Sequence, residues 1–193
     1  MITGTCIDEN AFGLLFAYHD IEDEEYGLER EDFVSRFTAF REAMLEHLRA
    51  SPLGEAVVCI DLGHALYFEV ADGDHSTDLL AWLRAASAHL KARDFAVTAV
   101  LTHGGRWVDE SARDLPAVVE PLPGLALVRA TRPSEPLRRA LYAEAACHGR
   151  EGDDGWGAGC YVDEEAVLAL KRAFKNSPTP LNVAGATFFR IGS

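Results

Sequence analysis

Within its first 103 residues the hydrophobic period switches repeatedly between two and 3.6, and the order of those switches constrains the fold more than any other feature. Residues 12–18, Phe-Gly-Leu-Leu-Phe-Ala-Tyr, form a short apolar run bounded by polar residues and predict a buried strand. After Asp32, the apolar positions Phe33, Phe37, Phe40, Met44 and Leu48 fall on one face of a helix, which Pro52 and Gly54 end. Residues 56–61 and 65–71 read as two strands of a hairpin joined across Leu62, Gly63 and His64. Ser76 or Thr77 can cap a second helix whose core stripe is Leu79, Leu83, Ala86 and Leu90. A strand over 95–103 then runs to a turn expected at Gly104-Gly105. The order is βαββαβ. Its simplest realisation is a ferredoxin-like, four-stranded antiparallel sheet in the order 4-1-3-2, with both helices on one face.

The second half changes character. Seven of the eight prolines lie after residue 115, so 109–123 is expected to be a Pro-rich connector. Beyond it the pattern predicts a strand over 125–130 and a helix capped by Ser134 with Pro136 in its first turn. A Gly- and Asp-rich loop over 149–159 leads to the short run Cys160-Tyr161-Val162, and Asp163 caps a helix carrying Val167, Leu170 and Phe174. A strand over 183–191 closes the chain. The expectation is α+β: a ferredoxin-like unit over 1–108 and a smaller β-α-(β)-α-β unit over 124–193, packed or joined to it as a shortened copy or as one continuous domain. A sheet with helices on one face leaves the other bare, and Tyr67, Thr98, Val100 and Thr102 are expected to line it. Their mixed apolar and hydroxyl character suits an intrachain interface or a small ligand cavity.

Charge removes several functions. The formal net charge is −13, which argues against a nucleic acid backbone or an anionic membrane surface as partner. No stretch is long and apolar enough to span a bilayer, and residues 1–10 lack the pattern of a signal peptide. Cys6, Cys59, Cys147 and Cys160 form no C-x-x-C pair, so a cytoplasmic, reducing setting is expected. Eight acids against the single base Arg30 crowd residues 20–32. Glu22, Asp23, Glu24 and Glu25 are the candidate contacts there for a basic protein partner, set against a solvated helix start.

Candidate chemistry is sparse. The proposed topology is expected to bring Asp61, His64, His103 and Asn10 to one end of the sheet, where two imidazoles and a carboxylate could share acid–base work. Asp153, Asp154 and Trp156 mark the Gly-rich loop as a ligand-gating candidate. Cys147, His148 and Cys160 lack the paired spacing of a zinc site, and no metal or other cofactor is expected. Asp72-Gly73-Asp74-His75 reads as ordinary turn chemistry before a helix cap. Nucleophile-elbow, dinucleotide and P-loop motifs are absent. No motif decides whether the chain is an enzyme or fixes its oligomeric state. The expectation is a cytosolic acidic protein-interaction module, inhibitor- or immunity-like. The alternative is a small enzyme or ligand-binding protein with a pocket between its two halves.

Overall fold

The computed structural model describes residues 6–18, 30–51, 57–62, 65–72, 79–109, 119–121, 134–148, 157–170, 180–183 and 185–191. Strand β1 spans Cys6–Tyr18 and pairs antiparallel with two neighbours, β3 (Ala65–Ala71) and β4 (Val97–Asp109). Strand β2 (Val57–Asp61) pairs antiparallel with β3. Across these four the order is β2-β3-β1-β4, the order expected from the spacing of the apolar runs. Helices α1 (Arg30–Arg49) and α2 (Leu79–Lys91) cover the same face of it.

Alternation along the strands explains that face. Phe12, Leu14, Phe16 and Tyr18 of β1, with Leu66 and Phe68 of β3 and Ala99 and Leu101 of β4, point toward the two helices. From α1 come Phe40, Met44 and Leu48, and from α2 come Leu79, Leu83, Ala86 and Leu90. These are the helical stripes read from the sequence. Trp82, one position off the stripe, is also buried and meets Phe16 and Phe68 edge-on.

The opposite face is not bare. Helix α3 (Glu135–His148) lies on it and buries Leu137, Ala140, Ala143 and Cys147 against Leu15, Tyr67, Val100 and Tyr161. The surface expected to be an interface or a cavity is thus an intrachain interface. Ser134 precedes α3 and its hydroxyl accepts from the Leu137 N–H at 3.4 Å, as its capping sequence predicts. The sheet then continues rather than starting anew. Strand β6 (Gly159–Asp163) adds parallel to β4, followed by β8 (Ala186–Ile191) and β7 (Leu181–Val183) as an antiparallel edge. The result is one eight-stranded mixed sheet, β5-β2-β3-β1-β4-β6-β8-β7.

Three local expectations are corrected. Strand β4 does not turn at Gly104-Gly105 but runs on to Asp109, paired with β1 as far as Cys6. The small residue at 104 has a different reason: a Cβ there would lie 3.0 Å from Glu135 Oε2. Residues 119–121, read as connector, form β5 and pair parallel with β2. The closing strand is two strands turned at Gly185, whose φ of 82° suits glycine. Helix α4 (Glu164–Ala169) is capped by Asp163 as predicted, with Leu170 at its C-cap. The predicted strand over 125–130, and Phe174, lie outside the described residues.

Candidate functional site

The best-furnished polar site is the end of the sheet where β4 passes β1 and β3 stops. His103 pairs with Phe12 across the β1–β4 ladder, and its ring packs on the Phe12 ring with centroids 4.7 Å apart. Asp72 follows the last residue of β3; its N–H donates to the Asn10 carbonyl at 3.0 Å. Its carboxylate then meets His103 Nε2 at 3.1 Å. The imidazole side chain is 12% exposed and the carboxylate 40%, so the pair stands at the surface with its imidazole mostly covered. A carboxylate on Nε2 orients the ring and leaves Nδ1 to take or give a proton.

Behind His103 the backbone is clamped by side chains. The β4–β6 ladder ends at Leu101 and Val162, so His103 lacks a strand partner on that side. Arg139 of α3 donates to the His103 carbonyl at 2.6 Å, and the His103 N–H donates to Asp163 Oδ2 at 3.4 Å. Arg139 also meets Asp163 Oδ2 at 3.2 Å and Glu165 at 3.9 Å. Burial pushes the Asp163 carboxyl up to about 7, against the opposing pull of the Ala166 N–H, Arg139 and the His103 N–H. Asp163 therefore links the α4 cap, α3 and β4. Beside the clamp, Glu135 Oε2 accepts from the Gly105 N–H at 3.3 Å.

A second polar layer lies under the start of α3. The Thr102 hydroxyl donates to the Pro136 carbonyl at 2.8 Å and approaches the Gly13 carbonyl at 3.3 Å. Tyr67 Oη reaches both Glu69 Oε1 and Ser134 Oγ at 3.4 Å. Gly13 makes room for this layer, because a Cβ there would collide with Tyr67 Oη and lie 2.8 Å from Pro136 Cβ.

The expected gathering of Asp61, His64 and His103 is corrected. Because β3 runs antiparallel to β1, its start lies beside the end of β1 and not beside its start. Asp61 is level with Leu66 and Phe16, whereas His103 is level with Phe12, four residues back along β1. At about 3.3 Å per residue this separates them by roughly 13 Å along the strands. Asn10 does sit at the His103 end. Asp72 takes the carboxylate role, a residue that the local sequence presents as turn chemistry. Strand direction, not local pattern, was the signal that could have found it. His64, the acids Glu22, Asp23, Glu24 and Glu25, and the loop residues Asp153, Asp154 and Trp156 lie outside the described residues.

Two cysteines face different cores. Cys147, on α3, packs on that helix's side of the sheet, and Cys160 on the α1–α2 side. Burial pushes the Cys147 thiol up to about 11 and raises that of Cys160, so both are held as inert thiols. Among the described residues no helix is long and apolar enough to cross a membrane.

No protein-family model matches the chain, and no curated protein matches it. Solved structures do. Over 98% of its length the chain is similar to a bacterial light-regulated adenylyl cyclase, with a TM-score of 0.63 and 8% identity. It spans 53% of that protein's chain, about half. It is also similar to the dimeric guanylyl cyclase domain of the RhoGC fusion protein from the aquatic fungus Blastocladiella emersonii, with a TM-score of 0.52 and 11% identity over 97% of both chains. This likeness overturns the expectation of an acidic inhibitor or immunity-like module, since the fold along 97–98% of the chain is similar to that of solved cyclases. In fold, this chain is similar to the nucleotide cyclase domains.

Proposed function

We propose that this chain is a small enzyme or ligand-binding domain for purine nucleotides. The observation that carries the reading is the chain-wide likeness to an adenylyl and a guanylyl cyclase, which includes the mixed sheet and its helices. The neighbours' chemistry makes ATP and GTP the first ligands to test. A chain of net charge −13 repels a bare triphosphate. Binding should therefore require Mg²⁺ or Mn²⁺, which neutralise phosphate oxygens and accept carboxylate ligands from the protein.

Titration calorimetry with each nucleotide, with and without divalent cation, is the direct test. The expected result is saturable, cation-dependent binding in the micromolar to low millimolar range, corresponding to about 4–8 kcal/mol. Chromatography of the incubated nucleotide then separates an enzyme, which forms a cyclic product, from a binding domain, which does not. No binding of either nucleotide on the order of millimolar concentration, with the cation present, overturns the reading. His103–Asp72 is the one imidazole–carboxylate contact shown among the described residues. If it serves the same site, His103→Gln weakens binding or turnover while leaving the melting temperature nearly unchanged.

A further inference from the structure

Where α1 crosses α2, three ring nitrogens are buried with no hydrogen-bond partner among the described residues: His47 Nε2, His89 Nε2 and Trp82 Nε1. The rings pack at a tilt between the helices. The His47 and His89 centroids are 5.1 Å apart, and those of His47 and Trp82 are 5.5 Å apart. Arg93, in the turn after α2, places Nη1 2.9 Å from His89 Nδ1. A guanidinium can only donate, so Nδ1 is the acceptor in this contact. Arg93 is held in turn by Glu46, 3.5 Å away.

We propose that this crossing is an acid-operated latch, in which protonation of His47 or His89 loosens α1 from α2. Among the described residues the groups facing His47 are few. From α2 comes His89; from the turn after it comes Arg93; on α1 itself Glu46 acts on Arg93; Trp82 brings no charge. A proton on His47 therefore sets a second cation beside Arg93, with no carboxylate shown in contact with it among the described residues. A proton on His89 Nδ1 abolishes the hydrogen bond from Arg93 and turns it into repulsion. Burial, then His89 and Arg93, hold His47 below the ordinary imidazole range.

The sign follows from linkage. The unfolded chain takes up the proton near pH 6.5, and the packed helices resist it to lower pH. Packing is therefore fully supported above that point and weakens as the pH falls through it. The inference does not depend on the nucleotide reading, because it rests on the rings at the α1–α2 crossing alone.

The test is hydrogen exchange, corrected for the pH dependence of intrinsic rates, at pH 7.5 and 5.5 on wild type, His47→Gln and His89→Gln. In wild type, acid should speed exchange in peptides covering 40–50 and 79–91 relative to those of β1 and β4. Both variants should show a smaller acid response. The wild-type melting temperature should fall by about 2–4 °C more than that of His47→Gln over the same interval. Histidine ring titration by NMR on the wild type needs no variant to fold. Parallel acid responses in all three proteins, or ring pKa values for both histidines at or above about 6.5, overturn the proposal.

Discussion

Residues whose size or polarity is dictated by a neighbour across the sheet offer the sharpest tests. Gly13 is small because Tyr67 and Pro136 occupy the space a Cβ would take. Gly13→Ala should cost about 1–3 kcal/mol, the usual range for overpacking. Thermal melts should show the loss, and Tyr67→Phe in the same chain should recover part of it by removing the colliding oxygen. Thr102→Val keeps the shape but removes the hydroxyl's hydrogen bonds to the Pro136 and Gly13 carbonyls. Its expected cost is about 1–2 kcal/mol, measured by urea unfolding. Neither role could be read locally. Gly13 looked like an ordinary member of an apolar run, and Thr102 like one hydroxyl of a bare face, because the constraints come from β3 and α3, more than thirty residues further on.

Single elements were more legible, since caps and stripes act within one helix. Asp163 was readable as an N-cap, and its Oδ1 accepts the Ala166 N–H at 2.6 Å. What the cap position did not announce is the Arg139 contact and the burial that goes with it. Asp163→Ala removes the cap and strands Arg139, and should cost about 3 kcal/mol by denaturant unfolding. Asp163→Asn keeps a cap and should cost less. The pH dependence separates the two effects. The folded carboxyl titrates near 7 and the unfolded one near 3.8. The folded state therefore binds the extra proton between those values, and stability from this group falls as the pH rises through that window. Urea unfolding at pH 5 and pH 7.5 should show this component in wild type and not in Asp163→Asn.

At the scale of the whole molecule, the chain is held by what crosses between its halves. Strand β4 is the seam: it pairs with β1 on one side and with β6 on the other, and it lies under α3. A chain ending at residue 108 would leave the β6 side of β4 unpaired and the Tyr67–Val100 face stripped of α3. Such an edge and such a face invite association. The truncated chain is expected to aggregate or to lack a cooperative unfolding transition, as shown by gel filtration and thermal melts. A soluble, cooperatively folding 1–108 fragment would establish instead that the first half is an independent domain.

By itself the sequence determined the elements around both helical stripes and the Ser134 and Asp163 caps. Each of these rests on hydrophobic periodicity or on a hydrogen bond closed within a few residues, so local pattern suffices. Tertiary structure decided the rest: that β4 runs on past Gly104, that α3 fills the second face, and that His103 meets Asp72 instead of Asp61. Those outcomes depend on strand direction and register, where one reversed neighbour moves a side chain to the opposite end of the sheet. Contacts between residues 31 to 89 positions apart, such as His103–Asp72 and Thr102–Gly13, leave no trace in the local pattern, because the free energy that selects them exists only once the sheet has formed.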